Sequence, residues 1–163
     1  MIIMGVDPGT AITGYGIVSC VNNTFSLVEC GTIRTNFKEP MCYRLQTIYD
    51  DLMQIINRYN PGQYVVEEVF FSKNSKTALS VGQARGVALL AGANADLKVF
   101  EYKPLQVKMA ITGYGGADKK QVQYMVKTLL NLNFIPKPDD AADALALAIC
   151  HAYHNGFNEK VFL

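Results

Sequence analysis

The chain has 163 residues, half of them hydrophobic and 18% charged, with a formal net charge of +1. That length suits one domain spanning 1–163 with a proper core, and the composition excludes a disordered or fibrous chain. Apolar stretches are interrupted before the ~20 residues of a membrane span, and Met1 leads straight into a strand, so neither a membrane protein nor a secretory leader is expected. Cys20, Cys30, Cys42 and Cys150 form no CxxC pair and no zinc spacing, which points to four reduced thiols in a cytoplasmic protein.

Residues 1–6 read as a buried strand. Residues 14–21 and 24–33 read as two more, joined by a turn at Asn22-Asn23 into an antiparallel meander. Apolar periodicity at Leu45, Ile48, Leu52, Ile55 and Ile56 predicts a helix over 41–59, stopped by Asn60-Pro61-Gly62. A strand over 64–68, a helix over 77–95 and a short strand over 98–102 follow. Helices over 119–130 and 139–154 close the chain, the second with Gly156 as its C-cap. This order implies an α/β fold, a mixed sheet with helices on both faces. The helix over 77–95 carries Ala78, Gly82, Ala84, Gly86, Ala88, Ala91, Gly92 and Ala93 and is apolar all round. It is expected to pack on the sheet and on a second copy, as a homodimer interface.

Four carboxylates sit where packing does not ask for them. Asp7 ends an apolar run, and Pro8-Gly9 turns the chain at once, leaving the acid at the sheet edge or in an Asx-type turn. Glu67 and Glu68 end a later strand, and side chains alternate across a strand, so one of the two faces the site; pattern alone does not choose. Asp140 and Asp143 share a face at the start of the last helix, with Asp139 beside Pro138 in a capping part. The alanines that follow let that helix approach a sheet closely. An all-oxygen set of this kind suits hard divalent cations and phosphodiester chemistry. His151 and His154 lie too far along the helix to join it and read as imidazoles near a helix C-terminus.

Charge is partitioned along the chain. Residues 69–127 carry nine basic and three acidic side chains, whereas residues 1–68 carry four and seven, and residues 128–163 two and four. A basic middle between acidic ends suits a polyanion bound beside a metal pocket. Phe70 and Phe71, with Lys73, follow the Glu67 strand; one phenylalanine is expected in the core and the other exposed to stack on an unpaired base. Asp118 and Gln121 have capping-box spacing. Lys119 and Lys120 then fall in a first helical turn, which makes sense where a phosphate binds; Lys108 and Arg85 are further candidates for backbone contacts.

The motifs together resemble the RuvC family of crossover-junction endonucleases over nearly the whole chain. They are Gly5-Val6-Asp7-Pro8-Gly9-Thr10 with Thr13-Gly14-Tyr15-Gly16, Val66-Glu67-Glu68-Val69-Phe70, Lys73-Asn74, Gly82-Gln83-Ala84-Arg85-Gly86-Val87, Gln106-Val107-Lys108, Gln121-Val122-Gln123 and Asp140-Ala141-Ala142-Asp143-Ala144-Leu145-Ala146. The resemblance implies a ribonuclease H-like fold, a mixed five-stranded sheet flanked by helices. It implies Asp7, Glu67, Asp140 and Asp143 as catalytic, metal-binding acids, choosing Glu67 over Glu68. Two Mg²⁺ per site are implied, with Mn²⁺ able to substitute. Phe70 is implied at the junction centre and Lys108 and Lys119 near the scissile phosphate. The implied partners are a four-way DNA junction, a second copy, and the RuvA-RuvB branch-migration complex. Glu68 departs from the glutamine of many members, which adds repulsion towards DNA. Two rival readings are an actin- or sugar-kinase-like phosphate-loop ATPase, which needs a second such lobe, and a non-catalytic junction-binding protein.

Overall fold

The computed structural model describes residues 1–68 and 75–158. Five strands, β1 (Ile2–Asp7), β2 (Ile12–Val21), β3 (Thr24–Arg34), β4 (Gln63–Glu67) and β5 (Val99–Tyr102), form one sheet in the order β3-β2-β1-β4-β5. The meander is antiparallel, and β4 and β5 add parallel to β1 and to each other. The expected mixed sheet is therefore present. Asn22 and Asn23, at φ 51° and 61°, make the tight turn between β2 and β3, a left-handed pair that asparagine tolerates and that matches strand twist.

Helices α1 (Met41–Tyr59) and α2 (Ser75–Asn94) cover one face of the sheet. Helices α3 (Pro104–Thr112), α4 (Lys119–Leu129) and α5 (Asp139–Asn158) cover the other. Strand alternation sorts β1 and β4 between them. Ile3 and Val65 pack in the α3–α5 layer, and Met4, Val6, Tyr64 and Val66 in the α1–α2 layer. In α1, Ile48, Leu52 and Ile56 are buried as the periodicity predicts, and Asn60 caps the helix in the left-handed region at φ 44°.

Two details differ from the sequence reading. Helix α3 was not expected, because nine residues are too short for a clear period; its signals are Pro104 at the first helical position and Gly113 as a left-handed C-cap at φ 74°. Gly156 does not cap α5, which runs on to Asn158; an interior glycine costs a helix only about 1 kcal/mol. Asp139 is the first residue of α5, as expected, an acid in the first turn. The carbonyl of Pro138 accepts from the amides of Ala141 at 3.0 Å and Ala142 at 3.4 Å.

Helix α5 lies almost on the sheet backbone, and three glycines make this possible. A Cβ on Gly5 would come within 2.1 Å of the Ala144 carbonyl oxygen, and one on Gly14 within 2.0 Å of the Asp140 carbonyl oxygen. A Cβ on Gly16 would meet the Leu145 nitrogen at 2.6 Å. Ala141, Ala144 and Ala148 answer from the helix side and are fully buried. Glycine inside a strand often marks such a backbone approach, a signal that Gly14 and Gly16 carried in the sequence.

Candidate active site

The close docking of α5 brings its first turn to the end of β1. Asp7 is the last residue of β1 and pairs across the meander with Gly14, the glycine under Asp140. Beyond Asp7 the chain is tied back by Thr13, fully buried, whose Oγ1 donates to the Gly9 carbonyl at 2.7 Å and accepts from the Gly9 amide at 3.4 Å. Val6 and Val66 are register partners in the parallel pair, so Asp7 and Glu67 are the next residues along two adjacent strands. Because Val65 faces α5 and Val66 faces away, alternation turns Glu67 towards α5 and Glu68 to the opposite side. The ambiguity in the sequence is thus resolved by packing. It was invisible there because both faces of β4 are apolar.

The acids repel one another. Burial first, and then the charges of Glu67, Asp143 and Asp140, push the Asp7 carboxyl up to about 8. With its carboxyl raised that far, Asp7 holds a proton at neutral pH when no cation is bound. Glu67 is also raised, by burial and by Asp143, against the lowering influence of the neighbouring Asp7 and Lys119. Burial raises Asp143, partly offset by Lys119, whose Nζ lies 3.1 Å from Asp143 Oδ2 and 3.5 Å from Asp139 Oδ2. The proton on Asp7 and the lysine therefore partly neutralise a cluster that cations would also neutralise.

That behaviour is the test of whether a metal suits the site. Oxygen-only donors from three elements, partly buried and mutually destabilised, fit hard divalent cations. Among the described residues, no three His, Cys, Asp or Glu side chains already converge as a cage for one ion. Asp143 instead stands in contact with Lys119.

A cleft of about 230 Å³ opens beside the acids, lined by Glu67, Lys108, Lys119 and Asp143 among others. The capping box of α4 forms as expected, with Asp118 accepting from the Gln121 amide at 2.9 Å and the Gln121 side chain accepting from the Asp118 amide at 2.8 Å. It fixes the turn that aims Lys119 at the acids. Lys120 lies instead in a separate cavity, along with Tyr114, Tyr124 and Lys137. Arg85 on α2 donates from Nε to the Glu67 carbonyl at 3.3 Å and pairs with Glu101, so it steadies the strand end that carries Glu67. Phe70, Phe71 and Lys73 lie outside the described residues.

His151 is fully buried and far from the acids. Its Nδ1 shares a hydrogen bond with the Tyr102 hydroxyl at 2.9 Å, and its Nε2 one with Gln63 Oε1 at 2.7 Å. Asn155 also donates to Gln63 Oε1, at 2.7 Å. With α5 running to Asn158, His151 is an interior residue of the helix rather than one near its C-terminus. All four cysteines are free.

Residues 3–151 match the family model described as Crossover junction endodeoxyribonuclease RuvC. The chain is 61% identical over 163 residues to the protein of that name from Pelotomaculum thermopropionicum, covering 100% of this chain and 99% of the relative. It is 59% identical over 152 residues to that of Desulforamulus reducens, 93% of each. Among solved structures, RuvC of Thermus thermophilus in complex with Holliday junction substrate superposes with a TM-score of 0.91 at 34% identity, covering 97% of this chain and 96% of that one.

Proposed function

The chain belongs to the RuvC family of crossover junction endodeoxyribonucleases, and on that premise we propose how its residues resolve a four-way DNA junction. The fold is ribonuclease H-like, and the protein is a nuclease that resolves Holliday junctions in DNA recombination and repair. A phosphate-loop ATPase and a non-catalytic binding protein are set aside by the family match over 3–151.

Asp7, Glu67, Asp140 and Asp143 would hold two divalent cations, Mg²⁺ with Mn²⁺ as a substitute. When bound, such ions polarise phosphate oxygens and make water more acidic. Asp7, protonated at neutral pH until cations bind, releases that proton to solvent as they do, and the acids then orient an attacking water and accept its proton. Lys119 Nζ, parked on Asp143 and Asp139, and Lys108 across the cleft donate to non-bridging oxygens as charge grows on the phosphate. The water oxygen bonds to phosphorus as the bond from phosphorus to the 3′ oxygen breaks, and the 3′ oxygen takes a proton from solvent, leaving a 5′-phosphate, a 3′-hydroxyl and a nick that can be ligated. The observation that carries this reading is that Glu67 of β4 and Asp143 of α5 line a cleft with Lys108 and Lys119, while Asp7 of β1 is pushed up to about 8 by burial and by the charges of Glu67, Asp143 and Asp140.

The single nuclease domain, 1–163, works as a homodimer in this reading. Ala84, Ala88 and Ala91 of α2 are buried against the sheet, while Leu79 and Leu90 are exposed at 67% and 51%, and nothing lies within 4 Å of where Cβ atoms on Gly82 and Gly86 would be. A second copy covering that face places two sites for paired symmetric nicks. A monomeric mass for the wild type in sedimentation at micromolar concentration would remove this part. Phe70, Lys73, Arg85 and Lys120 contact DNA, and the RuvA-RuvB branch-migration complex is the partner. Among the described residues no helix is long and apolar enough to cross a membrane, and the cytoplasm is the proposed location.

A synthetic four-way junction incubated with Mg²⁺ tests the reading. Symmetric nicks are expected, absent without metal and absent for Asp7→Asn, which still binds the junction. Linear duplex cut as fast as the junction, or undiminished cutting by Asp7→Asn, would overturn it.

A further inference from the structure

One cavity belongs to none of these steps. It measures about 700 Å³ and lies between the end of α3, the outer side of α4 and the segment leading to α5. Pockets for small ligands fall at roughly 300–1,000 Å³. Thr112, Tyr114, Lys120, Gln123, Tyr124 and Lys137 line it, together with apolar side chains.

Its polar groups are arranged for a ligand. Gln123 is only 9% exposed, and among the described residues its side-chain amide has no hydrogen-bonding partner. An amide so placed gains from a ligand that completes its bonds. The amide is not sealed in, because among the described residues only the Tyr64 hydroxyl is both fully enclosed and unpaired. The cavity it lines gives it access. Lys120 and Lys137 likewise form no ion pair among the described residues, and the Asp118 carboxylate beside them is taken by the Gln121 amide.

The aromatic wall is held in place. The Thr112 hydroxyl donates to the Tyr114 carbonyl at 2.9 Å and accepts from the Tyr114 amide at 3.1 Å. The Tyr114 ring lies over Gly116, where a Cβ would come within 2.5 Å of the ring's Cζ. Tyr114 is nonetheless 65% exposed and Tyr124 60%. Two open aromatic rings, a buried amide with a donor and an acceptor, and two unpaired cations match a nucleobase with its flanking phosphates. An apolar peptide would leave the lysines and the amide unanswered.

Continuity with the cleft indicates whose base it is. Consecutive residues of α4 serve the two spaces: Lys119 faces the acids, and Lys120 lines the cavity. The ion pair of Lys119 with Asp139, two residues after Lys137, stands between them. We propose that this cavity receives one unstacked base of the strand being cut, with Gln123 bonding its edge and Lys120 and Lys137 holding the adjoining phosphates. The proposal rests on the junction-cleaving function above and adds a base-reading subsite to it.

Abasic interference tests it. Junctions carrying a single abasic site, stepped across the nucleotides on either side of the scissile phosphate, are titrated with wild type, Tyr124→Ala and Gln123→Leu in Ca²⁺. Stacking on an aromatic side chain is worth a factor of about five to a hundred. One abasic position is expected to weaken wild-type binding by that factor and to have no further effect in Tyr124→Ala, which alters an exposed side chain and leaves the fold intact. Gln123→Leu, checked for an unchanged melting temperature, should lose discrimination between bases at the same position. If wild type binds and nicks the junction but every abasic loss is the same in Tyr124→Ala, the subsite is overturned and the function stands. If wild type neither binds nor nicks the junction, the functional reading itself falls. Saturable binding of free deoxynucleoside monophosphate that Tyr124→Ala abolishes, with no coupling on the junction, would assign the cavity to a free nucleotide and overturn the strand as occupant.

Discussion

Helix α5 carries two polar clusters on the same sheet, one at its first turn and one in its interior, and they are built on opposite principles. Around His151 the buried polar groups satisfy one another: Tyr102, Gln63 and Asn155 complete the imidazole's environment, and burial pushes His151 down to about 4, keeping it neutral. Around Asp140 and Asp143 the groups oppose one another, and Asp7 is pushed up to about 8 by burial and by three other acids. Buried polar networks of the first kind hold a fold together. Those of the second kind weaken it until something binds, which marks a functional site.

Replacing Asp7 separates the two clusters most sharply. Asp7→Asn removes a cation ligand and a repelling charge together. Junction nicking should fall on the order of a thousandfold or more, about 4 kcal/mol in barrier, while metal-free melting stays level or rises. Steady-state nicking and a thermal melt check both halves; a large drop in melting temperature would place Asp7 in the structural class instead.

Gly14→Ala strikes the docking of α5 on which the site depends. Its Cβ has no room beneath the Asp140 carbonyl, so the helix must lift. A loss of about 1–3 kcal/mol from overpacking is expected, with a disproportionate fall in nicking of about a hundredfold, because small displacements of reacting groups are costly. Nicking that falls only as far as the folded fraction falls would show that the docking does not set the site's geometry.

Gln63→Leu makes the opposite change. It leaves His151 Nε2 and the Asn155 amide without their shared acceptor. Stability should drop by about 1–3 kcal/mol in denaturant unfolding, while nicking by the folded enzyme is unchanged.

The two clusters also respond oppositely to pH. His151 is protonated near 6.5 in the unfolded chain and near 4 in the folded one, so its contribution is complete above about 6.5 and is lost as pH falls towards 4. Asp7 takes up its proton more readily when folded, so metal-free stability declines as pH rises from about 4 to about 8. Melting temperatures across pH in chelator should show both limbs, and Asp7→Asn should flatten only the second.

Much of this was legible in the sequence where local chemistry decides. The Asn22-Asn23 turn, α1 with its Asn60 stop, and the Asp118–Gln121 box each depend on a few neighbouring residues. The acids at Asp7, Asp140 and Asp143 could be singled out because nothing local required them. What could not be read depends on contacts across the chain. Glu67 against Glu68 is settled by which layer Val65 and Val66 enter, and the partners of His151 include Gln63, 88 residues away. Asp139 had the look of a cap, and only the packing of α4 against α5 shows that it shares Lys119 with Asp143. The glycine–alanine seam between sheet and α5 was half visible, as alanines without their partners.

Proton release on metal binding tests most directly the claim that the acids of β1, β4 and α5 form a cation site held in check by their own repulsion. Calorimetric titration of Mn²⁺ into the protein at pH 7, in two buffers of different ionisation enthalpy, counts the protons displaced. The expected result is binding that releases about one proton per site from the Asp7–Glu67 pair, and a release that vanishes in Asp7→Asn. Binding with no proton release, or the same release from Asp7→Asn, would contradict it.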